Sequence, residues 1–114
     1  MNAERFLPLT PVVFEIALAL AAGERHGYEI MQDVERRTDG HIVLHPGTLY
    51  RALGRLLDQG LIEELDERPA AGDDDERRRY YRLSTLGQAV ARAEVERLAS
   101  QVSAARRLFR GDRA

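Results

Sequence analysis

Two arginines four residues apart, Arg51 and Arg55, follow Thr48 in the segment HPGTLYRALGRLLDQ (45–59). On a helix, positions four apart lie one turn apart on the same face. Both guanidiniums can therefore enter one groove. A guanidinium is a planar fork that pairs bidentately with guanine O6 and N7 or with a phosphate. Thr48 falls near the start of that helix, where unpaired amides and the helix dipole attract an anion. Gly54 leaves space for a close backbone approach. Tyr50, at the border of this face, can either give its hydroxyl to a phosphate or pack its ring at the edge of the core. His45, just before the helix, can touch a backbone phosphate or cap the turn. A second basic run, Arg77, Arg78 and Arg79, can contact phosphates, or can pair with Asp73, Asp74, Asp75 and Glu76 beside it. Taken alone, the arginine helix reads rather as an amphipathic surface helix with solvated arginines, and it is the hairpin following immediately that turns the reading to DNA.

Other chemistries find less support. The chain has no cysteine, so disulfides, thiolate metal sites and a Cys nucleophile are excluded. His41 and His45 are four apart with Asp39 nearby, but they lie in a loop or short strand with no third strong ligand, and two solvated histidines are the simpler reading. Ser84 sits in a helix cap, and Ser100 and Ser103 on an exposed helix, with no His or Asp paired to them by motif. There is no phosphate-binding glycine loop. No enzyme, metal or cofactor is read from the sequence.

These side chains need elements to position them. After a short arm at 1–9, Thr10 caps a first helix with Pro11 at its first position. The segment VVFEIALALAA is nearly all apolar, which predicts burial over most of the helix surface, and Gly23 ends it. A second helix spans about His26 to Arg37, with Tyr28, Ile30, Met31 and Val34 on its apolar side and Thr38-Asp39-Gly40 as its stop. His41–Leu44 reads as a connector or minimal strand. The third helix, about Pro46 to Gln59, collects Leu49, Ala52, Leu53, Leu56 and Leu57 on one arc, opposite Thr48, Arg51, Gly54 and Arg55. A hairpin follows, with arms LIEELDER and RRYYRLS around a turn-rich acidic tip, PAAGDDDE. Alternation turns Tyr81 and Leu83 to one face, and Arg78, Tyr80 and Arg82 to the other. Ser84-Thr85 caps a last helix running to about Arg110. Its residues Val95, Leu98, Val102, Ala105 and Phe109 repeat at spacings of 3, 4, 3 and 4, the spacing of a coiled-coil seam. A partner helix is the economical cover for that stripe, since the small domain reads as complete at residue 83.

Composition bounds the class. A chain of 114 residues fits one domain plus a projecting element. No run approaches the ~20 apolar residues of a membrane span, and no signal peptide is visible at the N-terminus. The lack of cysteine fits a cytoplasmic protein. The net charge is −2, which looks wrong for a nucleic-acid binder. However, residues 1–76 carry 7 arginines against 16 acids, and residues 77–114 carry 10 against 3, so balances of −9 and +7 hide inside that total. All 17 basic residues are arginine, which we attribute to a coding bias rather than to recognition.

Helix, helix, helix and hairpin in that order are the layout of a winged helix-turn-helix: mainly α with a small β-hairpin, here with a long C-terminal helix. In that layout the third helix enters the major groove. The segments LTPVVFEIALALAAGERHGYEI, then HPGTLYRALGRLLDQGLIEE, then DERRRYYRLSTLGQAVARAEVERL run in that order along nearly the whole chain. In this combination the chain resembles the PadR-like transcriptional regulators. Its single C-terminal helix is similar to the smaller subfamily. The resemblance implies a homodimeric repressor of double-stranded DNA, joined by the C-terminal helix, and less directly a small-molecule effector that releases the DNA. The expected division is 1–83 for DNA binding and 84–114 for dimerisation, with an inverted-repeat operator. An effector would lodge where the last helix meets the first. The competing reading is a protein–protein interaction module that kept the scaffold and lost DNA binding, as the acidic tip and negative total favour.

Overall fold

A computed structural model describes the backbone of residues 2–65, 68–70 and 73–111, and the side chains of 2–65 and 78–111. A 3-10 turn at Ala3–Phe6 leads into α1 (Pro11–Ala21). Thr10 starts α1 as expected: its Oγ1 accepts from the Val13 amide at 3.2 Å, with Pro11 in the first turn. Ile16, Ala17, Ala19 and Leu20 are buried. A two-residue strand, β1 (Arg25–His26), and α2 (Gly27–Arg37) follow.

The start of α2 is a reciprocal cap. His26 Nδ1 accepts from the Glu29 amide at 3.3 Å, and Glu29 Oε1 accepts from the His26 amide at 3.1 Å. The helix stops at Thr38-Asp39-Gly40, where Asp39 and Gly40 both take positive φ (51° and 76°). His41–Leu44 is a connector and forms no strand; Thr38 Oγ1 accepts from the Ile42 amide and ties it back to α2. α3 (Pro46–Asp58) buries Leu49, Leu53 and Leu56, the leucine arc read from the sequence.

The strands depart from the expected simple hairpin. β2 (Ile62–Glu64) and β5 (Tyr80–Leu83) pair antiparallel, with Ile62 opposite Leu83 and Glu64 opposite Tyr81, and β1 pairs on the other edge of β5. This three-stranded sheet has the order β1-β5-β2. Tyr81 and Leu83 point into the core as the alternation required. Burial, and then the negative charge of Glu64, raise the Tyr81 hydroxyl above its usual pKa and keep it neutral. Beyond the sheet, β3 (Arg68–Ala70) and β4 (Asp73–Arg78) form a separate pair. The acidic run Asp73–Glu76 is thus strand backbone rather than turn. Ladder hydrogen bonds do not require an apolar anchor, and a shift in register at Pro69/Ala70 accommodates the pairing. The expected tip residues 71 and 72 lie outside the described residues.

α4 (Thr85–Phe109) is capped by Ser84, whose Oγ accepts from the Gly87 amide at 2.9 Å. Its first half is part of the core: Gly87, Val90, Ala91 and Glu94 are buried. The packed interior therefore extends beyond residue 83, where the sequence alone reads the domain as complete. The remaining turns project, giving a molecule 63 Å long but only 34 by 21 Å across.

Candidate nucleic-acid interface

α3 has one face in the core and one free. Thr48, Arg51 and Arg55 are all exposed, and neither arginine makes a hydrogen bond or ion pair among the described residues. The four-residue separation raises Arg55 about 6 Å along the axis from Arg51, so the two forks point the same way from successive turns. His45 occupies the N-cap position of α3, is exposed, and makes no side-chain cap bond. The first α3 amides are therefore open to an outside acceptor beside Thr48. Both readings of Tyr50 meet in one side chain. It is 51% exposed, yet its hydroxyl end fills the space beside Gly27 where any other residue would carry a Cβ. The ring thus braces α3 against the start of α2 while its edge faces solvent.

The wing-base arginines separate. The Arg77 side chain lies outside the described residues. Arg78 turns inward: its Nη1 is 3.1 Å from His26 Nε2, and its guanidinium carbon lies 5.8 Å from the Tyr28 ring centre. Arg79 is exposed and its Nη1 meets Glu64 across the sheet at 3.4 Å, a partner outside the acidic run proposed for it. The structure thus brings Thr48, Arg51 and Arg55 onto one face, and sends Arg78 to a different contact.

Tyr28 corrects an expectation. Placed on the apolar side of α2 and expected to pack between helices, it is 54% exposed: Gly27, Ile30 and Val34 carry the buried side of α2, and the Tyr28 ring lies against the Arg78 guanidinium. His26 was missed. It is buried, caps α2, and meets Tyr80 edge-to-face at 5.3 Å, so it joins β5 to the helix before α3. The available signal was Glu29 three residues after it, the spacing of a capping box. His41 Nδ1 lies 2.8 Å from the Thr38 carbonyl, and the described residues contain no group of three or more metal-ligating side chains.

On α4 the seam residues Val95, Val102 and Phe109 are exposed, the last at 91%, with Leu98 and Ala105 half-buried. Glu94, one residue earlier, is only 1% exposed. Its Oε2 accepts from the Leu9 amide at 2.7 Å and its Oε1 from Arg97 Nε at 2.5 Å. The Arg97 hydrogen bond, helped by the Leu9 amide, holds the carboxyl below its usual pKa against the opposing effect of burial. A cleft of about 330 Å³ opens where the end of α1, β5 and α4 meet, floored by Leu20, Leu83 and Ala91 and rimmed by Arg82 and Arg92. Among the described residues no helix is long and apolar enough to cross a membrane.

Comparison with known proteins bears on this arrangement. The model of the "Transcriptional regulator PadR-like family" matches residues 16–93. A Lysinibacillus sphaericus protein of uncharacterised function is 37% identical over 68 residues, and the match covers 58% of each chain, so this chain spans under two thirds of that curated relative. Among solved structures, a transcriptional regulator from Clostridium thermocellum is 27% identical, with a TM-score of 0.67 over 84% of this chain and 87% of that one. A PadR-like regulator from Bacillus cereus shares the fold at a TM-score of 0.73, with 18% identity over 89% of this chain and 93% of that one. Bacillus subtilis PadR, solved in complex with operator DNA, gives a TM-score of 0.65 at 19% identity over 75% of this chain and 47% of that one.

Proposed function

Because this chain belongs to the transcriptional regulator PadR-like family, we propose that it is a homodimeric repressor that reads an inverted-repeat operator with α3. The observation that carries this reading is the pair of exposed guanidiniums of Arg51 and Arg55, without a partner among the described residues, on the free face of a helix whose other face is core. Arg51 and Arg55 read base edges. Thr48 and the open α3 amides hold a phosphate, with His45 and Tyr50 alongside, and Arg77 and Arg79 meet backbone at the wing. Arg78 acts through His26, fixing the wing to α2. The fold is shared with a regulator that was solved on operator DNA, which supports the same docking here.

Residues 1–83 supply the contacts to DNA, and 84–114 join two copies through Val95, Leu98, Val102, Ala105 and Phe109. Two-fold symmetry then separates the half-sites by one helical turn, about 34 Å, or a multiple of it. A small effector seated in the α1–α4 cleft would favour a different distance between the two reading helices and release the operator.

Selection of duplexes from a random pool tests the reading. The expected product is a palindromic site, with Arg51→Ala and Arg55→Ala each losing about 1–3 kcal/mol of affinity for it and relaxing preference at one position. If both variants bind like the parent, α3 is not the reading helix. If no duplex is enriched at all, the interaction-module reading gains.

A further inference from the structure

Gly54 is the ninth of the thirteen residues of α3, well inside the helix. Glycine is the poorest residue there apart from proline, because it fixes the most backbone freedom. Inside a fold, such a glycine has a reason where a positive φ or a close neighbour requires it. The fold supplies none. Gly54 does not adopt the positive φ that would exclude other residues. A Cβ built on it meets nothing within 4 Å. Gly27 and Gly87 differ sharply, since a Cβ on either would run into the Tyr50 hydroxyl or the Leu61 carbonyl. Gly47 is as open as Gly54, but it lies in the first turn, where glycine costs little, and carries no such argument.

The position of Gly54 on the helix supplies the outside reason. At about 100° per residue, it falls roughly 40° from Tyr50 and 60° from Arg51, and 100° from Arg55. All three of those side chains are exposed. They flank the half-buried backbone of Gly54, where no side chain stands. A body inserted between them reaches the helix backbone itself.

We propose that Gly54 is the close-approach point of α3: the edges of the operator bases meet bare helix backbone there, and this missing side chain sets the depth at which Arg51 and Arg55 reach the groove. The inference rests on the proposed role of α3 in reading DNA. It assigns Gly54 a positioning role and predicts that stability and binding respond in opposite directions to the same substitution.

The experiment uses the full chain and the duplex it enriches from a random pool. Gly54→Ala and Gly54→Leu are compared with the parent, since leucine favours helix almost as well as alanine. Both variants should melt higher, by on the order of 3–6 °C. Both should bind the selected duplex more weakly, by roughly fivefold for alanine and roughly a hundredfold for leucine, as overfilling of a close contact does. Equal losses for the two variants would assign the glycine to helix flexibility instead and overturn the proposal. So would parental affinity in both while Arg51→Ala and Arg55→Ala lose binding, an outcome that leaves the reading helix intact. Parental affinity in all four variants, or failure to enrich any duplex, removes the reading helix and this inference together.

Discussion

Glu94 puts a carboxylate inside an apolar interior, where an unpaired charge would be strongly unfavourable. It is tolerated because its two oxygens have strong donors, the Arg97 guanidinium and the Leu9 amide. The first of these lies one turn along α4, while the second lies 85 residues away in the chain. Glu94 therefore ties the N-terminal arm to the last helix. Its lowered pKa makes the tie sensitive to acid. The stabilisation is fully present above the ordinary glutamate value of 4.5 and declines as pH falls through the lower folded value. Thermal melts between pH 7 and pH 3 should show a falling melting temperature in the parent. Glu94→Gln should melt lower at pH 7 and lose part of that acid dependence. Parallel pH profiles for the two proteins would contradict this assignment. Little in the sequence marks the site, since an acid in a helix rich in arginines reads as solvated. Only its spacing after Gly87, Val90 and Ala91, on the same helical face, marks it as buried.

The element that most rewards comparison is α4, whose first turn lies against the carbonyl of Leu61 at Gly87. A methyl group there collides with backbone, which cannot swing aside as a side-chain end can. Gly87→Ala should therefore destabilise the fold by about 1–3 kcal/mol, as overpacking does, although alanine is the better helix former. Urea unfolding of Gly87→Ala beside Gly54→Ala checks this, since the same chemical change is expected to have opposite signs at the two glycines. A rise in stability at residue 87 would mean that α4 stands clear of the Leu61 carbonyl. Helices of this kind were legible because their caps and apolar spacing are local: Thr10-Pro11, Ser84-Thr85 and the leucine arc of α3 predicted their own positions. The strands were less so. β1 is two residues long, too short for alternation to appear, and its place is set by the edge of β5, a partner over fifty residues away. The acidic stretch that reads as turn is held in β4 by its pairing with β3. For the candidate interface, spacing put Arg51 and Arg55 on one face, but it could not separate Arg78 from its neighbours, because the contact with His26 arises only when the sheet brings the two together.

At the scale of the whole molecule, the divided charge and the projecting helix belong to one arrangement. The basic surplus of residues 77–114 begins at the wing and continues along α4. The apolar stripe of that helix continues past the part packed on the domain. Val102 is 48% exposed, and Leu108 and Phe109 farther along are more so. Two copies pairing through this stripe would cover it and hold two α3 helices at a fixed separation. Val102 stands at the middle of the proposed seam and makes no contribution to the core of its own chain. A carboxylate there would be desolvated by dimerisation but not by folding. Val102→Glu should therefore keep the parental melting behaviour at low concentration and sediment as a monomer where the parent sediments as a dimer. Its loss of operator affinity should exceed that of a single arginine, because each half-site must then be found separately rather than at the high effective concentration of a tethered second site. A dimer that survives the substitution would move the seam off Val95–Phe109. A monomer that still binds the full operator like the parent would mean that pairing is not what sets recognition.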